Sequence, residues 1–391
     1  MKNICIVNVL QPALGIGGIE TVSHLIKNKL KEKGFNVWSL FITSKTIKEE
    51  TDIQFPETKE IDSPKNVCFF TDFVKRQNID IVLLNGGWHK DLQELCFKIK
   101  KATNIKLVIA SHSNPSVRIK EYDDYKEIYI HKTKNQIGKL FASIYLNVKK
   151  VWYTYKNKKI TEQIYQKYDI DNIDAFITLS QEYTKFFQSI FPSRFSNKIH
   201  TIANPIIIEN NTHTVKKENI VLFVGRLTLQ KRLDRLLYIW HKLQNKFPTW
   251  KLLIVGDGEH SLEYKDYAKK LQLANIDFVG QQQSDVFFKK SKIICMTSSH
   301  EGLPMVLLEA QKFGCVPIAY NSFESAKDIV KNKYNGLLIE PFKIKEYKKA
   351  LISLMSNEDL RKQYALNGET HITKFDINEI IKEWISLFDN L

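Results

Sequence analysis

No stretch of about 20 consecutive apolar residues occurs in this chain of 391, so no transmembrane helix is expected. The five cysteines, Cys5, Cys68, Cys96, Cys295 and Cys315, contain no CxxC pair. That spacing argues against a zinc site or a disulfide framework and for small core residues of a reducing compartment. The first apolar run, from Ile4 to Val9, is short, contains Asn8 and leads into a glycine-rich turn. It reads as a first strand and not as a signal peptide. The turn holds Gly15, Gly17 and Gly18, but not at GxGxxG spacing, and no acidic residue ends the next strand, expected at Asn36 to Thr43. A Rossmann-type oxidoreductase is therefore disfavoured. No Asp-x-Asp pair stands at the carboxyl end of an expected strand, where a metal-holding acid pair would sit, and Asp123 and Asp124 are adjacent to each other.

At 391 residues the chain is long for one core, so two domains are expected. Apolar residues make up 43%, enough for globular folding, and the net charge is +15. Such a charge suits a polyanionic partner: anionic lipid, nucleic acid or an acidic glycan. Short apolar runs alternate with amphipathic helical patterns in each half, which predicts parallel sheets covered on both faces. The alternation restarts after Asn204-Pro205.

The stretch from His300 to Ala310 organises the second half. A buried strand is expected over Lys292 to Thr297 and a helix from Val306 to Phe313, with Pro304 near its first turn. A turn feeding a helix N-terminus offers free amides and the positive end of a dipole, a natural anion site. Glu301 lies in the turn, within reach of a hydroxyl-rich group, and Glu309 on the helix is placed to accept from a diol such as a ribose. Amides for a diphosphate with one carboxylate per sugar suit a nucleotide sugar. Upstream, the strand expected over Asn219 to Val224 ends in Gly225-Arg226, with Lys231 five residues after the arginine. Gly225 lets the backbone turn close to a ligand. Fixed cations there stabilise the negative charge that grows on a departing diphosphate.

These residues together resemble the retaining, family 4 glycosyltransferases: Glu301-x7-Glu309 after a strand and before a helix, and Gly225-Arg226-x4-Lys231. The resemblance implies an α/β chain with the GT-B fold, two Rossmann-like domains facing each other across a cleft. Residues 1–204 are then the acceptor-side domain and 205–376 the donor-binding domain, with the last helix, about 377–391, packing back on the first. It implies Glu301 and His112 as catalytic residues, with His112 at a strand end near the transferred sugar. Gly225, Arg226, Lys231, Gly280, Gly302, Leu303, Pro304, Met305 and Glu309 would bind the donor, Gly280 beside the base. Gly17 and Gly18 would form the Gly-Gly-x-Glu loop between donor and acceptor.

The implied reaction moves a sugar from a nucleoside diphosphate donor to a hydroxyl of a glycan or lipid-linked glycan, in polysaccharide or lipopolysaccharide synthesis. No metal and no cofactor are expected. A GT-B sugar-nucleotide 2-epimerase and a basic nucleic-acid-binding protein are the alternatives. Residues 116–168, least like the family, are expected as an insertion in the first domain. They hold half of the chain's tyrosines, with aromatics interleaved with lysine. That composition suits a helix at an anionic membrane surface, and it also suits an insertion that packs its rings inward or a surface for nucleic acid. The partners expected are the donor, the acceptor and the membrane surface, without nucleic acid, for a cytoplasmic protein peripheral on the inner face of the membrane.

Overall fold

The computed structural model describes residues 2–14, 17–44, 49–86, 89–115, 117, 136–166, 169–208 and 215–391. Two compact units are present. The first comprises Met1–Ser113, Glu162–Ile207 and Lys374–Leu391, and the second Asn114–Thr161 and Ile208–Thr373.

The first unit is built on seven parallel strands: β1 (Asn3–Leu10), β2 (Asn36–Thr43), β3 (Asp52–Gln54), β4 (Ile81–Asn85), β5 (Lys106–Ser111), β6 (Ala175–Thr178) and β7 (Ile199–Thr201). Their order is β3-β2-β1-β4-β5-β6-β7. The interior strands are nearly continuous apolar runs because helices cover both faces. These helices are α1 (Gly18–Glu32), α2 (Pro64–Arg76), α3 (Lys90–Ala102) and, after a long helix of the intervening segment, α4 (Gln136–Gln166), α5 (Gln181–Ile190). Ser63 caps α2 by accepting from the Asn66 amide, with Pro64 at the first helical position. Lys27 of α1 is fully buried and paired with Asp52 at 2.5 Å and Glu49 at 2.8 Å, which ties the helix to the edge strand β3. Chain order turns from leftward to rightward between β1 and β4. In an open parallel sheet that switch opens a crevice outside the carboxyl ends of the strands.

The second unit repeats the plan with six parallel strands: β8 (Glu218–Val224), β9 (Lys251–Val255), β10 (Ile276–Gly280), β11 (Ser291–Met296), β12 (Val316–Tyr320) and β13 (Leu337–Ile339), in the order β10-β9-β8-β11-β12-β13. Its switch lies between β8 and β11. The helices are α6 (Leu233–His241), α7 (Ser261–Lys270), α8 (Asp285–Lys290), α9 (Met305–Lys312), α10 (Ala326–Ile329), α11 (Ile344–Ser356) and α12 (Glu358–His371). One core runs from Leu233, Leu236 and Trp240 of α6 through the sheet to Tyr347, Leu351 and Leu354 of α11. Helix α6 ends at His241. Gln244 beyond it bonds the Ala274 amide at 2.6 Å and the Gln272 carbonyl, which fixes a turn there.

The final helix, α13 (Ile377–Asp389), belongs to the first unit, where it packs on α1. Asp376 caps it, and Ile377, Ile380, Ile381 and Trp384 supply its buried face. Four of the five cysteines are buried and free, and Cys68 is exposed.

Candidate functional site

In the second unit, Gly225, Arg226 and Lys231 follow β8 and Glu301 to Met305 follow β11, on either side of the switch, while Gly280 closes β10. After β8 the chain turns through Gly225 at φ +155°, and the aliphatic stem of Lys231 lies over this glycine, 3.5 Å from where a Cβ would sit. Gly256, at the end of β9, has φ +129°, and a Cβ there would fall on the Gly225 carbonyl. Both positions therefore need glycine on conformational grounds, and Gly256 on steric grounds as well. A short 3-10 turn, Leu229–Lys231, follows, and then Arg232 in the left-handed region at φ +47°. Such a conformation costs a non-glycine residue roughly 1–2 kcal/mol. The nearly buried Arg232 guanidinium is held on Asp234 by a fork, Nε to Oδ1 at 3.0 Å and Nη2 to Oδ2 at 3.0 Å.

This turn is fastened to the one that follows β11. Ser299 N–H donates to Gln230 O at 2.9 Å, Gln230 Nε2 donates to His300 O at 2.8 Å, and Thr297 Oγ1 donates to Arg232 O at 2.9 Å. Buried Arg235 donates to Thr297 O at 3.1 Å and lies 4.2 Å over the Phe342 ring. The result brings Lys231 Nζ to 2.7 Å from Glu301 Oε1, an ion pair with the lysine 18% and the glutamate 9% exposed. Arg226 is exposed at the same strand end.

Pro304 stands at the N-cap of α9, one position earlier than a first-turn proline. The first amides of a helix have no partner within it. Those of Met305 and Val306 find no acceptor among the described residues. Ser322 Oγ donates to Ser298 O at 2.6 Å, and Ser325 Oγ donates to Gly302 O, so the loop carrying Glu301, Gly302 and Leu303 is pinned from below. Glu309, half-buried on α9, has its carboxyl pushed up to about 7, chiefly by burial, with Asp285 adding repulsion and Lys312 opposing. Gly280 closes β10 at φ +74° beside open space.

The first unit carries the remaining expected residues. His112 follows β5, and its Nε2 donates to Asn85 Oδ1 at the end of β4. Asn85 Nδ2 in turn donates to Ser23 Oγ of α1, and Ser23 donates to Asn8 Oδ1 of β1 at 2.8 Å. This buried chain spans the switch of the first sheet and sets His112 as the Nε2–H tautomer. Desolvation lowers its imidazole to about 4, with a side-chain hydrogen bond to Asn204 offsetting part of the drop. His112 is therefore a neutral ring at neutral pH.

Gly17 is the N-cap of α1 at an extended φ of −172°, and Gly18 starts the helix with open space at its Cβ. A Cβ at Gly17 would meet only the flexible end of Glu20. The fold itself thus gives these two glycines no steric need, in contrast to Gly256. Gly15 lies outside the described residues. Sequence reasoning missed Gln230, Arg232, Arg235, Ser23 and Asn85. A polar residue interrupting an apolar strand end, as Asn85 does after Ile81 to Leu84, was the available signal for the last.

The family profile described as "Glycosyl transferases group 1" matches residues 207–371. An uncharacterized glycosyltransferase of Haemophilus influenzae is 32% identical over 251 residues, 62% of this chain and 70% of that one. The amylovoran biosynthesis glycosyltransferase AmsD of Erwinia amylovora is 34% identical over 212 residues, 51% of this chain and 59% of its own length. Among solved structures, the lipopolysaccharide outer core galactosyltransferase WaaB in its apo form aligns over 100% of both chains with a TM-score of 0.69 and 20% identity. Anabaena HepE in complex with UDP and glucose aligns over 100% of both chains with a TM-score of 0.73 and 14% identity.

Proposed function

We infer the reaction from one premise: this chain belongs to the glycosyl transferases group 1 family and has the GT-B fold. We propose that it transfers a sugar from a nucleoside diphosphate sugar to a hydroxyl of a glycan or lipid-linked glycan, with retention at the anomeric carbon. The observation that carries this reading is the Lys231–Glu301 pair, set at the sheet switch beside the open amides of Met305 and Val306.

Each group has a task in the proposed reaction. The α9 amides, Lys231 and exposed Arg226 receive the diphosphate, and the charge growing on its leaving oxygen is stabilised by these fixed donors. That task needs no metal ion. Glu301, on the sugar side of Lys231, orients the hexose and faces the positive charge that develops at the anomeric carbon. Glu309 accepts from the ribose diol, whose hydroxyls replace the water lost on burial. The acceptor hydroxyl attacks from the face the diphosphate leaves. A bond forms from acceptor oxygen to the anomeric carbon as the bond to phosphate oxygen breaks, and the leaving phosphate takes the acceptor's proton. His112, a neutral ring with Nε2–H committed to Asn85, helps to orient the acceptor.

A uridine donor is supported by HepE, a protein of this fold solved with UDP and glucose. A polysaccharide or lipid-linked acceptor is supported by AmsD and WaaB. The reading puts the protein at the inner face of the cytoplasmic membrane, where a chain of net charge +15 is attracted to anionic lipid. The test is a donor screen in which nucleotide sugars are incubated with the protein, with EDTA present, and released nucleoside diphosphate is measured. Release from one donor, lost in Glu301→Ala, is expected. No release from any donor, or release that is abolished by EDTA, contradicts the respective part of the reading.

A further inference from the structure

Among the described residues, sixteen large apolar side chains are exposed, and seven of them fall on one helix, α4. They are Phe141, Ile144, Tyr145, Val148, Val151, Trp152 and Tyr155, each between 53% and 74% exposed. At about 100° per residue these positions span an arc of roughly 120°. Leu146, on the opposite side of the helix, is buried. The face is therefore continuous, runs along about 20 Å of helix and has no partner within the described part of the chain. The other exposed apolar residues are scattered singly, which is ordinary for a protein surface.

The charge on the helix says what this face fits. Gln136–Gln166 carries six lysines and one glutamate. Lys149 Nζ lies 5.7 Å from the Tyr145 ring centre and Lys156 Nζ 5.0 Å from that of Trp152, so cationic heads rim the aromatic face. Rings of mixed polarity with ammonium groups beside them match the boundary between headgroups and acyl chains. A second copy of this chain seated on the same face would bring lysine against lysine, with Glu162 the only acid on the helix to compensate.

We propose that α4 lies in the plane of an anionic bilayer, with Phe141, Val148 and Trp152 in the acyl boundary and Lys149 and Lys156 among anionic headgroups. This helix is then the element that holds the enzyme where a lipid-linked acceptor is found. The inference extends the membrane side of the proposed function, yet membrane binding and sugar transfer are measured separately, so either can fail alone.

The test floats the full-length protein with vesicles of phosphatidylcholine, with and without about one third phosphatidylglycerol. Binding to the anionic vesicles and little to the neutral ones is expected. V148E/W152E should lower partitioning at least about tenfold, and K149E/K156E should remove the preference for anionic lipid. Both should bind UDP in calorimetry as the parent does. Independently of these charged variants, brominated anionic lipid should quench tryptophan fluorescence in the parent and much less in the conservative W152F. Equal flotation of the variants, or quenching unchanged in W152F, overturns the proposal. So does a dimer in sedimentation that V148E/W152E converts to monomer, because the face then belongs to a second copy.

Discussion

Replacing Glu301 with glutamine separates binding from transfer in a way that few other changes in this molecule can. Lys231 Nζ sits 2.7 Å from Glu301 Oε1 in a largely buried pair. At that distance and an effective dielectric near 20, two unit charges attract by roughly 6 kcal/mol before desolvation is subtracted. The net worth of a hydrogen bond to a charged group is closer to about 1.5–3 kcal/mol. Glutamine keeps the shape and still accepts a hydrogen bond from Lys231, so only part of that net attraction is lost. The lysine is then freer to engage a diphosphate, and the repulsion between carboxylate and phosphate disappears. Binding of UDP should therefore tighten by about 1 kcal/mol, roughly fivefold. Transfer should fall at least about a hundredfold, because the charge opposite the developing oxocarbenium ion is gone. Calorimetry with UDP and a coupled assay for nucleoside diphosphate release measure the two effects. Weaker UDP binding in Glu301→Gln, or turnover within tenfold of the parent, refutes the assigned roles.

Three further predictions rest on single features. Ribose hydroxyls donating to Glu309 favour its charged form, so a carboxyl raised to about 7 in the free protein should release a proton on binding, and UDP affinity should rise between pH 6 and pH 8. Glu309→Gln should flatten that profile, as calorimetry in buffers of different ionisation enthalpy will show. His112, at about 4 in the folded protein, binds fewer protons than its unfolded counterpart near 6.5, so its share of stability falls as pH drops from about 6.5 to 4. The loss is on the order of 3 kcal/mol at most. His112→Asn should remove this slope in denaturant melts and lower transfer while sparing UDP binding. Gly256→Ala forces a Cβ onto the Gly225 carbonyl at a φ of +129° and should destabilise the second unit by about 3 kcal/mol, read by urea melts.

Much of the fold was legible because parallel strands covered on both faces are nearly pure apolar runs. Ile81 to Leu84 and Ile293 to Met296 stand out for that reason. The second-unit site was legible because strand–turn–helix punctuation is local: Gly225 and Arg226 after one strand, Glu301 to Pro304 after another. What the sequence did not reveal lies in contacts between distant segments. The Lys231–Glu301 pair joins residues 70 apart, and nothing near either one signals the other. The left-handed Arg232 was hidden because arginine carries no propensity for that conformation, and its fork on Asp234 and the bond from Thr297 Oγ1 to its carbonyl help to hold it there. The chain from His112 to Asn8 crosses four elements and depends on sheet order, which spacing does not give. The extent of α4 was not legible, since its apolar stripe faces outward and its other positions are mixed. Its side-chain exposure, unavailable to periodicity, identifies the stripe as a surface.

The central claim is that the carboxyl ends of β8 and β11, with the start of α9, hold the diphosphate of a sugar nucleotide. A structure of the full chain with UDP tests it most directly. The account predicts the diphosphate within hydrogen-bond distance of Lys231 Nζ and the Met305 and Val306 amides, with the ribose hydroxyls on Glu309. A nucleotide bound elsewhere, or at this strand end with Lys231 and the α9 amides turned away from it, contradicts the account.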